Sequence, residues 1–149
     1  MTREAGRVLL DAGDFADAPV ALIEEAVRLT LAAAGRPDVE VSVALLGDDD
    51  IRELNRRYLG KDSATDVIAF TLGEASEIVG DVYIGVAQAR RQADELGVPI
   101  HEELVRLAIH GVLHVLEHDH PEGPEREESP MFELQERLLR DLFRDRPTA

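Results

Sequence analysis

The chain has 149 residues, 44% of them apolar, which suits one domain over residues 1–149 built around one core. It has no cysteine, so disulfides, thiolate metal sites and cysteine nucleophiles are excluded, and no apolar run approaches the roughly 18 residues of a membrane span. Asp and Glu total 31 against 16 Lys and Arg, and a formal net charge of −15 repels nucleic acid at long range, leaving a local basic patch as the route to such a partner.

Val8-Leu9-Leu10 reads as a short first strand. The next stretch predicts a helix capped by Asp17, with Pro19 in its first turn, Gly35 past its end and Leu22, Ile23, Ala26, Val27 and Thr30 on its apolar face. Val39 to Leu46 alternates and is rich in β-branched residues, so it predicts a strand. Asp48, Asp49 and Asp50 favour a helix start through the positive end of its dipole, and Ile51, Leu54 and Tyr58 lie along one side of that helix. After a polar loop from Gly60 to Thr65, Val67 to Phe70 and Val79 to Ile84 read as strands whose short link predicts an antiparallel hairpin. A helix over Val86 to Leu96 stops near Gly97 and Pro99, and another runs from about Ile100 to Leu116. The latter is apolar almost all round after Val105, which predicts a buried central helix. A loop rich in Pro, Gly and Glu separates it from a last helix, capped by Ser129, with Pro130 at its first position and an end near Phe143. The expected fold class is α+β: a small mixed four-stranded sheet with about five helices.

Four of the five histidines fall between His110 and His120. His110 and His114 lie one turn apart on one helix face, and His120 follows past the expected helix end, where a chain reversal would be needed to bring a third nitrogen to the same ion. Three protein ligands and an open position form the layout of a catalytic zinc site. Imidazole suits zinc and other borderline divalent ions, and an ion held by neutral ligands acidifies bound water, so hydrolysis is the natural consequence. Gly111 stands where the zinc peptidase pattern His-Glu-x-x-His needs its glutamate, which argues against a peptidase. Glycine inside a helix also points to close packing, with the sheet backbone as the expected neighbour, or to simple tolerance. Buried histidines need partners, either a metal ion or neighbouring carboxylates. Asp119 either orients a ligand imidazole or stabilises the turn, His118 is a surface or proton-shuttling residue in preference to a fourth ligand, and His101, nearly opposite His110 on the helix, is expected in solvent.

The segment His110 to His120 resembles the signature His-Gly-x-Leu-His-Leu-x-Gly-aromatic-Asp-His of the YbeY family of metal-dependent endoribonucleases, matching at His110, Gly111, Leu113, His114, Asp119 and His120. Leu54-Asn55, Gly60-Lys61-Asp62 and Thr65-Asp66-Val67-Ile68-Ala69-Phe70 are similar to that family's Leu-Asn, Gly-Lys-Asp and Thr-Asp-Val-Leu-Ser-Phe. Gly80-Asp81-Val82-Tyr83-Ile84 is similar to its Gly-Asp-Ile-x-Ile strand. The resemblance implies a sheet flanked by helices and one zinc ion on His110, His114 and His120. It also implies cleavage of single-stranded RNA, in maturing the 3′ end of 16S ribosomal RNA of the small subunit and in ribosome quality control.

Three positions depart from the family pattern: Glu117 replaces a glycine, His118 an aromatic residue, and Leu59 an arginine found in many members. A glycine at 117 would suit a left-handed helix end, where glutamate is strained. The missing arginine removes an obvious phosphate contact, for which Lys61 is the first substitute and Arg57 the second, with Arg52 and Arg56 nearby. The leading reading is a cytoplasmic zinc-dependent endoribonuclease acting on small-subunit ribosomal RNA. The ribosome or ribosome-associated proteins are then expected to supply the affinity that the acidic surface withholds. The alternative is a metal-stabilised assembly factor that binds without cutting, and a metallopeptidase ranks third.

Overall fold

The structure, a computed structural model, describes residues 6–73, 77–117 and 130–144. Its elements in chain order are β1 (Val8–Asp11), α1 (Val20–Ala33), β2 (Glu40–Leu46), α2 (Asp48–Leu59), β3 (Val67–Leu72), β4 (Val79–Gly85), α3 (Val86–Leu96), α4 (Ile100–Glu117) and α5 (Pro130–Arg144). The sheet order is β1-β2-β4-β3; β1, β2 and β4 run parallel, and β3 joins antiparallel at one edge. The α+β architecture and the β3–β4 hairpin, paired from Val67 with Ile84 to Leu72 with Val79, are as expected.

Alternation in the strands decides which sheet face receives the helices. Val41, Val43 and Leu45 of β2 and Val82 and Ile84 of β4 are buried on one face, where they join α1 and α4 in the core. The other face is partly open, with Ser42 bonded to Asp81 across the strands at 2.8 Å. The α2 helix covers part of it: Tyr58 packs edge-on against Phe70 (5.7 Å between ring centres), which in turn meets Tyr83 at 6.0 Å.

The expected Asp17 cap is not formed. Asp17 lies in a turn closed by Ala18 N–H bonding to the Phe15 carbonyl, and Pro19 takes the N-cap position of α1 without a side-chain cap. Its carbonyl accepts from Ile23 N–H, so the fixed proline φ rather than a carboxylate starts the helix. At the other end Gly35, with φ 75°, closes α1 as expected: Gly35 N–H reaches the Ala32 carbonyl and Arg36 N–H the Leu31 carbonyl. Ile51 of α2 is fully buried, whereas Tyr58, expected on the same side, is 59% exposed and keeps only an edge contact with Phe70.

The approach of α4 to the sheet depends on missing side chains. A Cβ on Gly80 would lie 2.6 and 2.8 Å from the two methyls of Val115, and one on Gly111 would lie 2.6 Å from Val82 Cγ1. Gly111 therefore serves close packing, but against valine side chains rather than the expected sheet backbone. Valine is stiff about χ1 and gives way poorly. Gly80→Ala is expected to lower stability by about 1–3 kcal/mol through overpacking, read as a lower urea midpoint. Adding Val115→Ala should recover part of the loss, and strictly additive losses would refute this contact as the cause.

Candidate metal centre

The α4 sequence is apolar enough to be enclosed. Val105, Ala108, Ile109, Val112 and Val115 are fully buried, so the helix forms the middle of the core as predicted. His110 and His114 share its side, both half-buried, while His101 near its start is exposed as expected. Their rings meet edge to face with centres 4.5 Å apart, and the two Nε2 atoms lie 3.0 Å from each other. Two nitrogens on one tetrahedral zinc ion, each at about 2.0–2.1 Å, lie roughly 3.3 Å apart. The pair therefore fits a shared ion with a small adjustment of two side chains, and the imidazole donors suit a borderline divalent metal.

Among the described residues no group of three metal-binding side chains converges. The third expected ligand, His120, lies outside the described residues, as do Asp119 and His118. Glu117 is the last residue of α4, so the helix runs through the position where the family pattern has glycine.

His110 has a partner that the sequence reading missed. Its Nδ1 lies 2.6 Å from Oε1 of Gln135 on α5, an amide and not one of the carboxylates considered as partners. Gln135 is 5% exposed and shares a stripe with buried Leu138, Leu139 and Leu142, spaced by three, four and seven residues. A polar residue at an apolar position of an amphipathic helix was the available signal. Gln135 Nε2 donates to Glu136 at 2.9 Å, and Arg106 of α4 donates through one nitrogen to both Glu136 oxygens at 2.8 and 2.7 Å. Arg106 Nε also lies 3.2 Å from Oε1 of Glu103, a carboxylate 3% exposed; the two atoms face each other without an aligned hydrogen bond. Burial pushes the Glu103 carboxyl above the usual range, and Arg106 opposes that shift.

The basic candidates lie on α2 and just after it. Arg57 lies near the end of α2, and Lys61 follows it, its backbone N–H bonded to the Asn55 carbonyl. Both are exposed, and neither has an ion pair among the described residues. Arg52 is held by Asp62 at 2.8 Å and Arg56 by Glu53 at 2.7 Å. Arg52 holds the Asp62 carboxyl below its ordinary range, as Arg56 does for Glu53. Tyr58 packs on Phe70, on the sheet face away from α4.

The family sequence profile described as Endoribonuclease YbeY matches residues 14–143. The chain belongs to the YbeY endoribonuclease family. It is 45% identical over 123 residues to the endoribonuclease YbeY of Aquifex aeolicus, covering 80% of this chain and 81% of that protein. It is 41% identical over 140 residues to that of Carboxydothermus hydrogenoformans, covering 93% and 96%. In three dimensions it is similar to the solution structure of TM1509 from Thermotoga maritima, with a TM-score of 0.65 and 27% identity over 92% of this chain and 88% of that one. Several residues that carry the YbeY resemblance have structural work here. Asn55, 3% exposed, ties the loop after α2 through Ser63 O at 2.8 Å, and Gly60 ends α2 at φ 73°. Asp66 caps Val67 N–H at 2.8 Å and accepts from Gln92 at 3.1 Å. No helix among the described residues is long and apolar enough to cross a membrane.

Proposed function

We propose that this chain is a zinc-dependent endoribonuclease that cuts single-stranded RNA, with the 3′ end of 16S ribosomal RNA as its substrate and a cytoplasmic setting. The observation that carries the reading is the pair of imidazole Nε2 atoms 3.0 Å apart on a buried helix, in a chain of the YbeY family. His110, His114 and His120 hold the ion, and Asp119 orients one of the imidazoles. When bound, the ion supplies a Lewis acid for a phosphoryl oxygen and acidifies water. The chain's own contribution is to orient the imidazoles on a helix locked to the sheet by Gly111 and Gly80. Lys61 and Arg57 hold the RNA backbone, and the ribosome or proteins on it offset the repulsion from a net charge of −15.

The test is cleavage of a single-stranded RNA carrying the small-subunit 3′ end, beside its duplex, before and after chelation and zinc addition. Discrete fragments from the single strand alone, lost on chelation and restored by zinc, are expected. A 2′,3′-cyclic phosphate on the product identifies the 2′-hydroxyl as nucleophile; a 5′-phosphate on the downstream fragment identifies water. If the zinc-loaded protein never cuts, across salt and with ribosomal components added, the reading gives way to an assembly factor that binds without cutting.

The basic residues make a separate prediction. Each of Lys61→Ala and Arg57→Ala should weaken single-strand binding and reduce the slope of log K against log salt by about 0.7, one phosphate contact. Arg52→Ala and Arg56→Ala, whose charges are already paired, should change it little. An equal fall in all four variants would remove the special place of Lys61 and Arg57.

A further inference from the structure

We infer that Gln135 is a positioning residue for the metal centre, fixing His110 in the tautomer that carries its proton on Nδ1 and presents Nε2 to the ion. The inference rests on the metal reading above, and it assigns a role to a helix that contributes no histidine.

A charge sets the direction of these hydrogen bonds. Arg106 grips both oxygens of Glu136, and a carboxylate so held can only accept hydrogen bonds. The Gln135 amide therefore turns its NH2 to Glu136, as the 2.9 Å contact requires, because the flipped amide would set two acceptors against each other. That leaves the carbonyl oxygen, 2.6 Å from His110 Nδ1, and an oxygen there demands a proton on Nδ1. In a neutral imidazole the lone pair is then on Nε2, the atom facing His114 Nε2. Arg106, Glu136 and Gln135 thus form a one-way chain of donors and acceptors that ends in a ligand lone pair. Burial of the amide excludes water as a substitute acceptor, since Gln135 is 5% exposed. Metal-ligating histidines commonly use their second nitrogen in this way, and loss of such a partner weakens metal binding about 10- to 100-fold.

The test uses the full chain in three forms: wild type, Gln135→Met, which keeps the length but removes the acceptor, and the double variant Gln135→Glu with Glu136→Gln. The double variant restores an acceptor opposite His110 and a donor beside it. Nitrogen-15 imidazole spectra of the metal-free protein read the tautomer, and competition with a chelating dye reads zinc affinity. Wild type should show His110 protonated on Nδ1. Gln135→Met should lose that signature and bind zinc about 10- to 100-fold more weakly, and the double variant should recover both to within about threefold. Unchanged zinc affinity in folded Gln135→Met overturns the inference, as does a wild-type His110 protonated on Nε2. Failure of Gln135→Met to fold leaves the wild-type spectrum and the double variant to decide. If wild type binds no divalent ion while its His110 is protonated on Nδ1, the metal reading fails and the hydrogen bond is purely structural.

Discussion

His114→Ala is expected to abolish metal binding and RNA cleavage together. His114 offers one of two Nε2 atoms that lie 3.0 Å apart, and alanine leaves His110 unable to chelate with its helix neighbour. Loss of a mere outer partner costs about 10- to 100-fold in affinity, so loss of a ligand should exceed that range. Stability should move far less than activity, because the ring is half-buried and its removal opens no closed cavity at the centre of α4. Metal content and cleavage must be measured on the same samples. A variant that still cuts at the wild-type rate, with or without metal, would sink the assignment of the histidine pair as the catalytic centre.

Arg106→Met is expected to be strongly destabilising. Arg106 faces three carboxylates, Glu136 at 2.7 Å, Glu103 at 3.2 Å and Glu102 at 3.9 Å, and its side chain is 22% exposed. Removing it leaves Glu103, 3% exposed, without its cation and releases the latch between α4 and α5. Breaking a buried pair by deleting one partner costs about 3–5 kcal/mol. The pH dependence follows from the direction of the Glu103 shift. Burial raises its folded-state pKa, so protonation is favoured by folding, and the stability this contributes is present below the unfolded carboxyl pKa and lost as pH rises through the folded one. Without the opposing Arg106 the folded value rises further. The deficit of Arg106→Met is therefore largest near pH 7 and shrinks as pH falls toward the carboxylate range, where Glu103 is neutral. Urea unfolding at pH 7 and pH 5 measures it, with Glu103→Gln in the same background expected to remove much of the difference. A deficit equal at both pH values would show that the buried charge is not its source.

These two outcomes touch residues of very different legibility. His114 stood out because four histidines lie within one short segment, and residue spacing along a helix translates directly into a shared face. Arg106, Glu103 and Gln135 did not, because a charged or amide residue on a helix is usually solvated and only tertiary contact buries it. Gln135 and His110 are 25 positions apart, and nothing in either local pattern pairs them. Gly80 and Gly111 were visible as glycines in regular elements, but their neighbours, Val115 and Val82, became known only when helix and sheet met.

The sequence by itself determined the order and kind of the elements, the β3–β4 hairpin, the buried character of α4 and the two histidines on one turn. It could do so because hydrophobic period, glycine and proline positions and helix geometry are local properties. The family resemblance, too, was legible in three short motifs. Only the tertiary structure decided that Pro19 rather than Asp17 opens α1, that Tyr58 is largely exposed, and that α2 and α4 lie on opposite faces of the sheet. It alone brought the amide of α5 onto the ring of His110. The reason is common to all four: each depends on which surfaces the packed layers cover, a property that residues distant in sequence set jointly.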